Sequence, residues 1–363
     1  MHHRLPTRTT WRGLAVGATA LLALAAAAPA SAHPGPPPRF AEVDQVSDQP
    51  GHAKLTDTSV VNAWGLSFTA TSPLWVSNNV TGNSTLYAGG VGGATVTKAG
   101  LTVAVPGGPT GQAANPGTDF SVTGPVGSGP ARFLFVTLSG DVRGWTPAAD
   151  GTNALLGQHV DGAVFTGMAA ISTSFGSFLL AADFRNGRID VFDGQFRQIP
   201  LPPAVFFHDP KLPKGYAPFN VMVSGDKVYV AYAKQGPDGR SAAGRGLGFV
   251  DVYTDFGVTV HRLASRDSLN APWGMAFAPA SFGALAGDLL VGNFGDGRIN
   301  VFDGDHSEGQ LRGVDGKPVT IDGLWALLPG TASTGGVDAL WFSAGPDHET
   351  HGLVGQLTPA STS

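Results

Sequence analysis

The sequence predicts an all-β chain folded as a six-bladed β-propeller closed by an N-terminal strand in the last blade, and three observations carry that expectation. The first is a long internal repeat. Residues 179–194, LLAADFRNGRIDVFDG, return without a gap at 289–304 as LLVGNFGDGRINVFDG, with ten of sixteen positions identical. Each copy is an apolar run, a Gly-containing turn and an alternating run, the pattern of a β-hairpin. The offset of 110 residues is too long for one hairpin and suits two propeller blades.

Second, weaker copies of the same unit flank this pair. LWVSN from Leu74, FLFVT from Phe133, LLAAD from Leu179, VYVAY from Val228, LLVGN from Leu289 and LWFSA from Leu340 align as second strands, spaced by 59, 46, 49, 61 and 51 residues. STLY from Ser84, DVRGW from Asp141, RIDVF from Arg188, FVDVY from Phe249, RINVF from Arg298 and LVGQL from Leu353 align as third strands. Third, only six residues follow Leu357, so the sixth unit lacks an outer strand. Residues 40–46 are a spare strand that can supply it, joining the two ends and leaving only short protected edges.

The innermost strands are expected to open at Asn62-Ala-Trp-Gly, Phe165-Thr-Gly-Met, Ala217-Pro-Phe-Asn, Asn270-Ala-Pro-Trp-Gly and Asp322-Gly-Leu-Trp. In the second unit either Pro109-Thr-Gly-Gln or Thr118-Asp-Phe-Ser can hold that place.

Ahead of the propeller, assigned to residues 40–363, the sequence reads as an export signal. Arg4, Arg8 and Arg12 form a basic n-region, residues 13–28 an apolar h-region, and Ala30-Ser31-Ala32 the small residues of a cleavage site. Residues 1–32 are therefore expected to be removed and the product secreted, free or associated with the cell wall. Residues 33–39, HPGPPPR, read as an extended Pro-rich leader.

Composition narrows the function classes. Without the three signal arginines the chain carries 19 basic and 27 acidic side chains, a balance that favours neither nucleic acid nor an anionic membrane. No second apolar stretch of spanning length follows, so no membrane insertion is expected. The 52 glycines and 27 prolines sit between alternating apolar runs and read as turns. The absence of cysteine removes thiol nucleophiles, thiolate metal sites and a lipoprotein anchor.

PWGMAF followed by DLLVGNFGDGRINVFD (residues 272–303) resembles the NHL-repeat type of six-bladed propeller, in which a P-x-G-hydrophobic strand precedes a strand ending in Asp or Asn and a G-R-I-x-V-F strand. The resemblance is sharp in units three and five. FHDPKLPKGYAPFNV (207–221), NAPWGMAF, IDGLWALLPG and FSAGPDHETHGLVG further resemble the signatures of an uncharacterised family of exported bacterial proteins. That second resemblance implies membership and brings no activity with it.

In a propeller the loops leading into the inner strands share a face with those leaving the second strands. Asn62, Asn220, Asn270 and Asp322 are expected at one mouth with Asn78, Asp183 and Asn293. Their oxygens can hold Ca²⁺, which takes six to eight hard ligands, as the resemblance to six-bladed lactonases and phosphotriesterases implies. Alternatively they satisfy turn backbones, the commonest role of Asn and Asp in such loops. Asp119 would add a carboxylate if it headed the second inner strand. Asp226, Asp288 and Asp338, on the opposite face, read as turn formers.

His348, Glu349 and His351 carry a Zn²⁺ possibility, although H-E-T-H lacks the helical spacing of HExxH. His208 beside Asp209 could be a general base, with a loop role as the alternative. His33 at a processed N-terminus could chelate copper, and is better explained as an accident of cleavage. Trp64, Trp273 and Trp325 can stack on a sugar or aromatic ligand or be buried between blades. No G-x-S-x-G elbow or phosphate loop is present.

Two functions are expected from these features. One is an exported, monomeric propeller binding a small molecule, extracellular protein or glycan through the mouth, without chemistry of its own. The other is a calcium-dependent lactonase or phosphoester hydrolase, with Ca²⁺ in the channel and His208 or His348 as base.

Overall fold

The computed structural model describes residues 38–202 and 205–360. The signal segment, His33 and most of the Pro-rich leader lie outside the described residues. Six antiparallel sheets follow one another along the chain, each running from an inner to an outer strand. Blade one is Ala63–Ser67, Leu74–Asn78, Asn83–Gly89 and Val96–Ala104. Blades three, four and five repeat that order, beginning at Phe165–Thr173, Tyr216–Ser224 and Pro272–Phe277. All six second strands and all six third strands fall where the repeat places them.

Blade two resolves the ambiguity left by the sequence. Its inner strand is Pro109–Ala114, paired with Phe133–Thr137. Residues 118–121 instead lead into an extra hairpin, Ser121–Gly124 with Gly127–Pro130. Asp119 accepts the Ser177 amide at 3.1 Å, so it joins blade three at the periphery and adds no carboxylate to the channel.

Blade six is assembled from both ends of the chain. Leu324–Pro329, Leu340–Ala344 and Leu353–Pro359 are its first three strands, and Phe40–Ser47 pairs antiparallel with the last, from Phe40 opposite Pro359 to Ser47 opposite Leu353. The spare N-terminal strand therefore closes the ring, with Leu55–Thr56 added in parallel outside it. Phe40 anchors the strand to blade five, its amide on the Arg312 carbonyl at 2.9 Å and its ring 4.5 Å from Phe282.

With no disulfide, cohesion comes from the gaps between blades. Five apolar clusters fill one gap each, and a sixth fills the gap between blades six and one and continues across the axis. Toward the axis four of the six inner strands leave no room for a side chain on the flank facing the next blade. A Cβ at Gly111 would stand 2.5 Å from the Met168 nitrogen, and one at Gly274 2.5 Å from the Trp325 carbonyl oxygen. Gly274→Ala is expected to cost about 1–3 kcal/mol through overpacking. An unchanged thermal melt would refute the tight approach.

The closing strand also carries a proton-linked element. Desolvation, followed by the adjacent Asp44 charge, pushes the Glu42 carboxyl up to about 7. An acid bound more tightly to its proton in the folded state adds stability as pH falls from above 7 toward its unfolded value. Glu42 is exposed as a residue, so screening keeps the gain modest. Between pH 8 and 5.5 the rise in Tm should be smaller in Glu42→Gln than in the parent, and parallel curves would exclude this linkage.

Candidate functional site

The same local device recurs in all six inner strands. The register against the second strand slips at Trp64-Gly65, Thr110-Gly111, Thr166, Phe219, Trp273 and Trp325-Ala326. A bulge leaves extra chain opposite its partner and re-aims a side chain. The bulge residues therefore form a ring of three Trp, one Phe and two Thr around the axis. Trp64 and Trp325 stack with centroids 3.6 Å apart and 15° between planes, and Phe294 continues the stack 4.0 Å beyond Trp325. Trp273 meets both tryptophans edge-on, and Phe219 leans against Trp325.

Hydrogen bonds lock this layer. Thr110 and Thr166 hydroxyls donate to the carbonyls of Phe165 and Phe219 at 2.7 and 2.8 Å. The Asn220 amide donates to the Trp273 carbonyl at 2.9 Å, Ser343 to that of Trp64, and the Trp273 indole to Thr166 O at 2.8 Å. Aromatic rings thus divide the axis into two cavities. The cavity at the mouth measures about 470 Å³, and the one at the opposite end about 260 Å³.

The mouth cavity has an aromatic floor of Trp64, Trp325, Phe294, Phe219 and Phe184, and a polar rim of Asn62, Asn79, Arg185, Asp238, Arg240, His348 and Glu349. Two loops build most of that rim. The connection between the second and third strands of blade four runs from residue 235 to 247 and carries Arg240 over the mouth. From blade six, residues 345–351 bring Glu349 to meet it. Arg240 pairs with one Glu349 oxygen, while the Asn62 amide donates to the other at 2.9 Å. Asp347, His348 and Glu349 hold φ values of 53°, 55° and 69°. Three successive left-handed non-glycine residues cost about 1–2 kcal/mol each. Strain of this kind persists where surrounding contacts over-determine it, here the contacts that fix Glu349.

The sequence-derived candidates fall in several different places. Asn62 is at the mouth, but its Oδ1 accepts the Trp325 indole N–H at 2.8 Å. Asn220 follows its ring residue instead of preceding it, occupies the slot that glycine fills in four other blades, and lines the cavity beyond the aromatic layer. Asn270 Oδ1 accepts the Gly244 amide at 2.6 Å, and the exposed Asp322 accepts the Asp347 amide at 2.9 Å. These four do not converge. Ca²⁺ needs six to eight oxygens around one point; the Asn62, Asn270 and Asp322 oxygens serve separate local bonds, and Asn220 lies across the aromatic layer. Among the described residues no group of three or more His, Cys, Asp or Glu is placed to hold a metal. The donor set does not fit Ca²⁺ in the channel.

Asn78, Asp183 and Asn293 are fully buried at the ends of their second strands. They brace the loops: Asp183 Oδ1 accepts the Val164 amide at 3.2 Å and Asn293 Oδ1 that of Asn270 at 3.1 Å, while the Asn78 amide donates to Asn83 and Thr85. The residue following each one, Asn79, Phe184 or Phe294, lines the cavity instead. Trp64 and Trp325 are in its floor, whereas Trp273 borders the opposite cavity.

The histidines are dispersed as well. His351 Nδ1 lies 2.8 Å from Asp48 Oδ2. His208 lines a flank cavity of about 530 Å³ between blades three and four, where Asp209 pairs with Arg262. Burial raises the neighbouring Asp190 carboxyl, even with Arg188 Nε 2.6 Å away. Of the two proposed bases only His348 is at the mouth. Arg240 and Arg185 were not anticipated by the sequence; the wide spacing of 61 residues between the fourth and fifth second strands was the one signal of a long loop there.

Comparison with known proteins agrees with this architecture. The chain is 32% identical over 325 residues to uncharacterized protein R648 of Acanthamoeba polyphaga mimivirus, covering 86% of this chain and 78% of that protein. Uncharacterized protein L690 of the same virus is 35% identical over 315 residues, covering 83% and 81%. The chain belongs to the family of these mimivirus proteins. These relatives are viral, so the resemblance to exported bacterial proteins gains no support from them. No protein-family model matches the chain.

Among solved structures, a protein of unknown function from Bacteroides thetaiotaomicron superposes with a TM-score of 0.52 at 12% identity, covering 88% of this chain and 76% of that one. Regucalcin from Agrobacterium tumefaciens, described as a calcium-binding protein, gives 0.50 at 12%, covering 83% and 91%. An α-L-arabinofuranosidase from Fusarium graminearum, solved with an iminosugar inhibitor, gives 0.51 at 11%, covering 88% and 97%. At such identities the likeness concerns the fold. For the metal question a direct outcome is expected: adding Ca²⁺ to metal-stripped protein leaves Tm unchanged. A ligand specific for the folded state would raise stability by roughly 2.7 kcal/mol at 100-fold saturation, and a rise of that order would overturn the reading of the channel.

Proposed function

We propose that this chain is an exported binding protein that takes a small ligand into its mouth cavity and performs no chemistry on it. The observation that carries the reading is the cup itself. About 470 Å³ of space lies over a locked aromatic floor and under a rim of converging polar groups, within the size range and composition of small-molecule sites. Aromatic floors favour flat or ring-shaped ligands such as sugars and aromatic compounds. The arabinofuranosidase of like fold was solved with an iminosugar, which is consistent with a ring ligand. Export rests on the basic n-region, apolar core and Ala-Ser-Ala of residues 1–32. A calcium-dependent hydrolase has only the fold likeness to regucalcin in its favour, against a donor set dispersed among local bonds.

The test is saturation-transfer NMR with a panel of monosaccharides and single-ring aromatic compounds. Val80 stands exposed at the cavity edge, and Val80→Trp should fill the opening. Signals from bound compounds should vanish in Val80→Trp and persist in Phe256→Ser, an exposed site on the opposite face. Signals that survive Val80→Trp would move binding away from the mouth.

A further inference from the structure

Resting on the mouth as the binding site, we infer that its ligand is a ring compound bearing a single carboxylate, anchored by Arg185. The inference comes from which polar groups around the cup are already committed. Glu349 has Arg240 on one oxygen and Asn62 on the other. Asn62 is saturated by Trp325, Glu349 and Asn79, and the Asn79 amide donates to the Pro109 carbonyl. Asp238 accepts the Arg240 backbone amide and so stabilises its own turn.

Beside His348 and Ser241 of the same lining, two donors stand out. Arg185 lines the cavity and has no carboxylate within ion-pair distance among the described residues. Trp64, also in the lining, is 96% buried, yet its indole N–H has no partner among the described residues. A donor held away from water and left unpaired favours a ligand that supplies an acceptor. A guanidinium at the rim, with a neutral N–H in the plane of the floor, suits a ring compound with an acceptor group at its edge, the guanidinium matching a carboxylate through paired hydrogen bonds.

Charge magnitude selects among anions. Glu349 is matched by Arg240, so Asp238 is the carboxylate left beside Arg185, and a doubly charged phosphate would meet more repulsion from it than a single carboxylate would. A single negative charge is the smaller load on a cup whose Arg185, Arg240, Asp238 and Glu349 charges cancel. Carboxylates on a six-membered ring come from two sources, hexuronic acids and aromatic acids, and the shared chemistry is the ring-borne carboxylate.

Calorimetric titration of the protein with glucuronate and benzoate, each beside its uncharged counterpart, glucose or benzyl alcohol, separates those sources. At least one acid should bind about tenfold or more tightly than its counterpart, with the advantage shrinking as salt rises. Arg185 is exposed, so Arg185→Gln should melt like the parent while reducing that acid to the affinity of its uncharged counterpart. Equal binding of acid and counterpart, or an Arg185→Gln protein that keeps the difference, overturns the carboxylate anchor; the mouth itself would still stand if Val80→Trp blocked the neutral compound. Benzylamine binding more tightly than benzoate would transfer the anchor to Asp238 and overturn the inference too. Absence of binding by both acids at millimolar concentration does the same.

Discussion

The structure depends on how closely six inner strands can approach one axis. In four blades the inner strand lies too close to the next blade for a side chain, and Gly65, Gly111, Gly167 and Gly274 meet that demand. Immediately before each, the strand bulges and directs one side chain inward. Glycine and bulge are therefore one device: the first allows the approach, the second gives the displaced residue a destination. Blade four varies it, with Asn220 in place of glycine bridging to the Trp273 carbonyl. Once six such residues share the axis, three tryptophans and a phenylalanine fill it, and the propeller has a cup at each end in place of a tunnel.

Polarity at the mouth is set by loops and not by the ring. The strands hold the aromatic floor with bonds between neighbouring blades, whereas the rim comes from loops of unequal length on that scaffold. A chord from Arg240 in blade four to Glu349 in blade six crosses the mouth past blade five. Such a contact fixes both loops with one ion pair, and the left-handed turn at residues 347–349 is held by it from one side and by Asn62 from the other. Rigid floor and loop-borne rim are the division of labour common to binding proteins on rigid scaffolds.

The blades were legible because period-two alternation and glycine turns are local signals repeated six times. The closing strand was legible by subtraction, since one unit lacked a strand and the other end had one to spare. Errors came where the signal is not local. Asn220 resembles Asn62 and Asn270 in type but lies on the other side of its bulge, a shift of register that composition does not reveal. Asn78, Asp183 and Asn293 end their strands facing inward, and one step further the chain turns Asn79, Phe184 and Phe294 toward the cavity. Pro109 and Thr118 offered equally good openings to an inner strand, and only three-dimensional pairing chose between them. Arg240 and Glu349 are 109 residues apart, beyond any pattern in the chain.

Blade six imposes an order of events on folding. Its outer strand, Phe40–Ser47, is made before every other strand of the propeller, and the strand it pairs with, Leu353–Pro359, after all of them. No shorter length of chain can complete the ring, so five blades must wait with the sixth unfinished until Leu353–Pro359 has been made. Pairings of this sequence separation are slow to form and leave strand edges open in the meantime. The circle cannot shut early, and its closure coincides with the arrival of that strand.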